Sequence, residues 1–241
     1  MAILDNFIYS KKSNVIFAYI PKVACTNWKC VLRYLDGHDD YLNTSLAHDR
    51  NRSELLYVSK LPNGIDLLND PSVAKLTCVR NPYSRILSAY LNKVKPFAID
   101  NAQPGRDPYF YEIFKRMDEF RIKYRPESEH VDFSCFLAWI EFSNDPLVDN
   151  EHWIPQTEIL GKNEYVFNYI GRIENLSKDA PIILDWLKCD IPFPTHQAVN
   201  FPPTKANEAI NIYYSAKEKK QVQHIYKNDF SYLQYDSNKL P

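Results

Sequence analysis

The chain has 241 residues, of which 45% are apolar and 24% are charged, and this composition excludes a disordered or a fibrous protein. A chain of this length can bury a sizeable core, so a single domain over residues 1–241 is expected. The formal net charge of -1 gives no general reason to bind nucleic acid or an anionic membrane, so any anion site has to be built locally.

The first predicted elements are a buried strand and a helix that follows it. Residues 15–20 (VIFAYI) form a short β-rich apolar run that ends at Pro21. From Trp28 to Leu35 apolar residues recur at helical spacing, and Gly37 stands where a C-terminal stop belongs. These features predict a central strand that leads directly into a helix.

A second strand and helix repeat this arrangement. Residues 73–79 (VAKLTCV) form another buried run, Asn81 can cap a helix, and Pro82 fits its first position. A third strand-like segment covers residues 165–171. Strands that lead into helices predict an α/β fold in three layers, with a central, mostly parallel sheet flanked by helices.

The rest of the chain is predicted to be mainly helical. Residues 131–142 and 179–188 have helical apolar spacing, and a final helix is expected near residues 207–227 after a proline-rich connection. Between residues 93 and 125, lysines and arginines alternate with aromatic residues. This stretch fits either a groove for an anionic sugar polymer or a solvated helix face over core aromatics.

The first strand-to-helix junction has the features of an anion site. The start of a helix presents free N–H groups and the positive end of the dipole, and the small residues Ala24, Cys25 and Thr26 allow close approach. Lys22 can reach the anion as a point charge, and Thr26 can donate its hydroxyl. The alternative is a surface turn with an ordinary lysine and a helix cap.

The second junction suits a dianionic phosphate. Arg80 leaves the second strand, and Ser84 and Ser88 are four residues apart, so they share one helix face. The alternative is that Arg80 and Arg85 form surface ion pairs. Two such junctions at the carboxyl ends of parallel strands lie where α/β proteins bind ligands.

Several segments together resemble the carbohydrate sulfotransferases, the set that includes the HNK-1 and chondroitin 4-O-sulfotransferases. Residues 20–29 (IPKVACTNWK) resemble the 5′-phosphosulfate signature of that family, and residues 79–90 (VRNPYSRILSAY) resemble its 3′-phosphate signature. Residues 152–156 with 169–176, and residues 225–230, are similar to its later blocks. The resemblance implies a fold like that of the P-loop NTPases, with 3′-phosphoadenosine-5′-phosphosulfate (PAPS) as donor and 3′-phosphoadenosine-5′-phosphate (PAP) as product.

The resemblance also implies a role for each matching residue. Lys22 would stabilise charge on the leaving group, and Arg80 with Ser88 would clamp the 3′-phosphate. Arg172 would be a further contact to the donor. The 5′-phosphosulfate would be held by the segment that contains Ala24, Cys25, Thr26, Asn27 and Trp28.

Histidine is the usual base at neutral pH for taking the proton of an acceptor hydroxyl. The family resembled here places a catalytic histidine between the two donor signatures, which selects His48 as base and acceptor contact. His152 is the alternative base or acceptor contact. A structural role for either histidine is the other possibility.

The expected reaction is in-line transfer of a sulfuryl group to a hydroxyl of an oligosaccharide, a polysaccharide or a precursor, with no metal. One alternative is a P-loop kinase or NTPase, although residues 21–26 (PKVACT) contain no glycine. A second is a non-catalytic protein that binds nucleotide or glycan.

The N-terminus shows no signal peptide, and no apolar run reaches the roughly 18 residues of a membrane span. The five cysteines show no metal-ligand spacing, and both Cys25 and Cys78 are expected to be buried thiols. These features predict a cytoplasmic protein of bacterial type without a membrane span. The alternative is the Golgi lumen, if an anchor has been trimmed.

Overall fold

The computed structural model describes residues 2–100 and 102–241, and this part of the chain forms both strands and helices. The strands are β1 (Phe7–Ser10), β2 (Val15–Ala18), β3 (Ala74–Val79) and β4 (Tyr169–Arg172). The helices are α1 (Cys25–Leu35), α2 (Thr44–His48), α3 (Gly64–Asn69), α4 (Pro82–Ala89), α5 (Lys95–Ala98), α6 (Pro108–Tyr124), α7 (Phe133–Phe142), α8 (Gln156–Ile159), α9 (Leu176–Trp186), α10 (Ala206–Tyr213), α11 (Ala216–Ile225) and α12 (Lys227–Tyr232).

The chain divides into two compact units. Unit 1 consists of Met1–Arg80 and Gln156–Pro203, and unit 2 consists of Asn81–Pro155 and Thr204–Pro241. Unit 1 contains the sheet, and unit 2 contains helices only among the elements just given. The single domain expected from the chain length stays a prediction.

The sheet of unit 1 has the order β1-β2-β3-β4. β1 runs antiparallel to β2, whereas β2, β3 and β4 are parallel. The α/β class with a central, mostly parallel sheet is therefore confirmed. Because β2, β3 and β4 point the same way, their carboxyl ends lie at the same edge of the sheet.

The core of unit 1 explains why β2 and β3 are continuous apolar runs. Both strands are buried along almost their whole length. The Thr77 hydroxyl donates to the carbonyl of Ala18, 2.8 Å away, which satisfies a polar group inside the sheet. Trp28 of α1 packs between Phe17 and Phe193, with ring centroids 4.9 and 4.4 Å apart. These contacts anchor α1 on the sheet.

Unit 2 has an aromatic core. Asn81 caps α4 as expected, since its Oδ1 accepts from the N–H of Tyr83 at 3.0 Å, and Pro82 occupies the first turn. The buried core residues of unit 2 include Tyr83, Tyr90, Phe133, Phe136, Trp139, Trp153, Tyr226 and Phe230.

Among the residues that the structure describes, no helix is both long enough and apolar enough to cross a membrane.

The single final helix predicted near residues 207–227 is wrong. The chain forms α10 and α11 there, followed by α12. Ser215 starts α11 with a capping box, in which its hydroxyl accepts from the N–H of Lys217 and the Glu218 carboxylate accepts from the N–H of Ser215. Tyr214 and Ser215 have extended backbone, so the helix is interrupted there, and the capping box satisfies N–H groups at the start of α11.

Ser215→Ala should lower the free energy of unfolding by about 1 kcal/mol, because the first turn of α11 loses its cap. Thermal unfolding followed by circular dichroism measures the effect. Ser59→Ala, at an exposed serine that caps no α-helix, is the matched control. Equal melting temperatures for the two variants would contradict this role for Ser215.

Candidate active site

Three segments meet the same edge of the unit 1 sheet. The loop over residues 19–24 follows β2, and Arg80 follows β3. Arg172, the last residue of β4, is the register partner of Val79, so it lies beside the end of β3. Because the strands are parallel, Lys22, Arg80 and Arg172 lie at one edge of the sheet. These are the three cations predicted from the sequence to contact the donor.

The loop after β2 contains two residues in the left-handed region. Lys22 has φ +72°, and Ala24 has φ +50° with ψ +31°. For residues other than glycine this conformation costs roughly 1–2 kcal/mol each. Successive N–H groups in such turns point towards a common centre and form an anion-binding concavity. The loop thus has the backbone shape of a phosphate loop without any glycine.

The start of α1 adds its N–H groups to this loop. Ala24 is the N-cap and makes no side-chain capping bond, so the first-turn N–H groups of Cys25, Thr26 and Asn27 have no cap from that residue. The positive end of the dipole lies there as well. Loop and helix start together have the features that a local anion site needs in a chain of net charge -1.

Asn27 and Trp28 face the protein interior. The Asn27 side-chain amide donates to the carbonyl of Pro194 at 2.8 Å, which leaves its backbone N–H as the group at the helix start. The N–H of Trp28 donates to the carbonyl of Ala24 at 3.1 Å, and its indole is buried. Trp28 supports the loop from the core side. Cys25, expected to be buried, is half-exposed, whereas Cys78 is buried as expected.

Ala24→Gly should raise the free energy of unfolding by about 0.5–1 kcal/mol, because relief of the left-handed strain exceeds the entropy that glycine adds to the unfolded chain. Thermal unfolding should show a higher melting temperature. In Ala209→Gly, within α10, the same substitution at a helical position should lower it. A lower melting temperature for Ala24→Gly would show that the loop is not strained.

Thr26 and His48 are hydrogen-bonded to each other. Thr26 Oγ1 lies 2.8 Å from Nε2 of His48. Thr26 is buried, and His48, the last residue of α2, is exposed. Asn43 caps α2 through its Oδ1 and the N–H of Leu46. His48, which the sequence analysis predicts to be the base, thus contacts the hydroxyl of Thr26, which it predicts to bind the donor.

Arg80 is bound to the loop through its guanidinium. Its Nη1 donates to the carbonyl of Lys22, 3.0 Å away. Its backbone N–H and C=O bond to the side-chain amide of Gln156. Sequence reasoning assigned no role to Gln156. The signal that could have singled it out is its position as the last residue of the segment 152–156, which already resembled a family block.

Arg172 is fixed at the end of β4 by Asp179. The Asp179 carboxylate accepts from the N–H of Arg172 at 2.6 Å and from the Tyr169 hydroxyl at 2.9 Å. Arg172 is half-buried. The structure thus places Arg172 at the same sheet edge as Arg80 but not in the loop of Lys22.

Ser88 belongs to unit 2, on α4. Its hydroxyl lies 2.8 Å from Oγ1 of Thr204, and the Ser84 hydroxyl donates to the carbonyl of Asn81 at 3.2 Å. Both serines are buried. Both lie in the regular helix α4, four residues apart, so they share one face of it as expected.

His152 also belongs to unit 2. Its Nδ1 lies 2.8 Å from Oδ1 of Asn150, and its ring meets Phe110 edge-on, with centroids 5.0 Å apart. The segment around His152 is held by Arg85, whose guanidinium donates to the carbonyls of Ile154 and Glu151 at 2.7 and 2.9 Å. Arg85 is buried, so the alternative that it forms a surface ion pair is wrong.

The cation-rich stretch over residues 93–125 includes helix α6. Several of its cations pair with nearby carboxylates: Arg121 with Asp118 at 2.6 Å, and Lys93 with Asp107 at 3.1 Å. Cations already matched by carboxylates offer little net charge to an anionic polymer. This arrangement supports a solvated helix face over core aromatics, rather than an acceptor groove.

Comparisons with known proteins identify a family and several relatives of the chain. The family model described as "Sulfotransferase family" matches residues 5–236. Carbohydrate sulfotransferase 14 of Homo sapiens is 28% identical over 97% of this chain and 61% of that protein. Carbohydrate sulfotransferase 10 of Gallus gallus is 26% identical over 97% of this chain and 67% of that protein. Carbohydrate sulfotransferase 12 of Mus musculus is 27% identical over 85% of this chain and 52% of that protein.

The chain spans between 50% and 63% of the length of the first three relatives. No solved structure matches it.

Proposed function

Because this chain belongs to the sulfotransferase family, we propose that it transfers a sulfuryl group from PAPS to a hydroxyl group of a carbohydrate. The observation that carries the proposal is the hydrogen bond between Thr26 and His48, 2.8 Å long, beside the loop of Lys22. It joins a group suited to hold the donor to a group suited to take a proton. The carbohydrate as acceptor is supported by the names of the relatives, carbohydrate sulfotransferases 14 and 10.

The residues present fit the 5′-phosphosulfate of PAPS. Lys22 and Ala24 are in left-handed conformations that make a concave backbone, and Ala24 leaves the first-turn N–H groups of α1 without a side-chain cap. A lysine and a threonine hydroxyl complete a set of donors that suits an anion. When bound, PAPS supplies a sulfuryl group already attached to a phosphate leaving group.

Lys22 and the helix start have an electrostatic role. Negative charge collects on the leaving phosphate as the bond from its oxygen to sulfur breaks, and a preorganised ammonium group stabilises that charge. Arg80 holds the carbonyl of Lys22 and thereby the shape of the loop. Positioning and charge stabilisation are the main requirements for in-line transfer of this kind.

His48 accepts the proton that the acceptor hydroxyl loses as its oxygen bonds to sulfur. For this role its ring must be neutral, with one nitrogen unprotonated. If Nε2–H donates to Thr26, Nδ1 is the accepting nitrogen, and Thr26 keeps its own proton to donate to the donor sulfate. Thr26 then fixes the tautomer of the base as well as the position of the donor.

The kinase alternative has less support. The residue after β3 is Arg80, where Mg²⁺-dependent phosphoryl transfer would use an acidic residue, and the loop of Lys22 lacks the glycines of a P-loop. Membership in the sulfotransferase family points the same way.

Calorimetric titration with PAP tests the donor site directly. We expect PAP to bind in the micromolar range, ATP with Mg²⁺ to bind more weakly, and Arg80→Ala to weaken PAP binding by about tenfold or more. Transfer of labelled sulfate from PAPS to a panel of polysaccharides then tests the reaction. Preference for ATP with Mg²⁺ would overturn the proposal, and tight PAP binding without transfer would favour a non-catalytic binding protein.

A further inference from the structure

The backbone just beyond the end of β3 is hydrogen-bonded by a side chain and not by a neighbouring strand. The register of β3 with β4 ends at Val79 and Arg172, so Arg80 lies one residue beyond the ladder. The side chain of Gln156 bonds to both backbone groups of Arg80: Oε1 accepts from its N–H at 3.0 Å, and Nε2 donates to its carbonyl at 2.8 Å. A single amide thus takes the place of a neighbouring strand.

Gln156 is itself firmly held. It is fully buried and is the first residue of α8, where its carbonyl accepts from the N–H of Leu160 at 3.0 Å. The next residue, Thr157, is also buried. A side chain fixed in this way transmits its position to whatever it binds.

The far end of Arg80 reaches the loop. Its Nη1 donates to the carbonyl of Lys22, 3.0 Å away, and Lys22 has φ +72°. Surrounding contacts have to hold a strained peptide in place. The contacts run without a break from Gln156 through Arg80 to the peptide of Lys22.

We propose that Gln156 is a positioning residue for the loop of Lys22: by fixing both backbone groups of Arg80, it aims the guanidinium that holds the strained peptide. The proposal rests on the proposed function only in taking PAP as the anion bound there. In the competing interpretation Gln156 closes the end of β3 and has no effect on the loop.

The conformation of the loop can be measured without any ligand. Cys25, the first residue of α1, and Cys189, elsewhere in unit 1, are both half-buried free thiols. Alkylation with iodoacetamide, quantified for each cysteine by mass spectrometry, reports the exposure of the loop relative to an internal control. Burial raises the pKa of Cys30 and of Cys135 to about 11, so these two thiols react only if the protein unfolds.

In Gln156→Leu we expect the rate at Cys25, relative to that at Cys189, to change by about threefold or more, and PAP binding to weaken by about tenfold. Arg80→Ala should change the Cys25 rate in the same direction. An unchanged ratio together with unchanged PAP affinity would overturn the proposal. If the unmutated protein binds no PAP, the proposed function fails, and the Cys25 ratio still decides the role of Gln156.

Gln156→Glu gives a readout that a purely structural role would not produce. A protonated carboxyl can accept from the N–H of Arg80 and donate to its carbonyl, as the amide does, whereas a carboxylate can only accept. Burial favours the protonated form. At about pH 8, Gln156→Glu should therefore bind PAP more weakly than the unmutated protein. This difference should become smaller as the pH is lowered to about 5.5.

Gln197→Glu, at an exposed position in unit 1, controls for the added charge and should show no such pH dependence. If Gln156→Leu unfolds, which labelling of Cys30 and Cys135 would reveal, the pH series with Gln156→Glu decides the question. A deficit that is constant with pH, or no deficit, would contradict the proposal.

Discussion

Lys22→Ala is expected to lower the turnover of sulfuryl transfer by about 10²–10³-fold, with a much smaller loss of PAP affinity. The ammonium group of Lys22 acts mainly on charge that develops as the sulfur–oxygen bond breaks, so its removal affects the rate more than binding. Neither lysine nor alanine relieves the left-handed backbone at φ +72°, so the fold should be unchanged. Steady-state kinetics with labelled PAPS measures the effect.

Lys188→Ala is the matched control for Lys22→Ala. Lys188 is an exposed lysine of unit 1 that also has a positive φ, +51°, so the substitution imposes the same backbone demand. Its turnover should equal that of the unmutated protein. If both variants lose activity equally, the effect arises from the backbone and not from the ammonium group. If Lys22→Ala keeps full turnover, Lys22 has no part in the transfer.

His48→Ala should lower turnover by about 10²–10⁴-fold, because the acceptor hydroxyl loses its base. PAP affinity should change less, since Thr26 and the first-turn N–H groups of α1 remain. In the unmutated protein turnover should fall at acid pH as the imidazole becomes protonated and can no longer accept a proton. This fall should be absent from the residual activity of His48→Ala, measured as a pH–rate profile.

Two further variants decide between the candidate bases. His196→Ala, at an exposed histidine of unit 1, should leave turnover unchanged. His152→Ala should leave the pH–rate profile unchanged, because its Nδ1 is bound to Asn150 in a structural arrangement. If His152→Ala abolishes the acid limb of the profile and His48→Ala does not, the base is His152.

The elements of the site that were predictable from the sequence depend on local patterns. The apolar runs before Pro21 and Arg80 predict parallel strands, and the structure has β2 and β3 there. The helix after β3 is capped by Asn81, as expected. A strand followed by a helix presents its junction at the carboxyl edge of the sheet regardless of other detail. The position of Lys22 and Arg80 at one edge follows from these local rules.

Other features depend on contacts between distant residues. Gln156 and Arg80 are 76 positions apart in the sequence, and no local pattern indicates that a side-chain amide will bind a strand end. The bond between Thr26 and His48 joins two helices whose packing the sequence does not reveal. The break between α10 and α11 was missed, although Ser215 and Glu218 have the spacing of a capping box. The cytoplasmic location stays a prediction.

The order of strands in the sheet has a consequence for synthesis on the ribosome. β3 ends at Val79 but its partner β4 begins at Tyr169, so one edge of β3 stays open while the intervening chain emerges. Open strand edges are sites of aggregation, and pairing across such a separation is slow. Truncated forms that stop before β4 should therefore be insoluble, and slower translation of the intervening segment should reduce the yield.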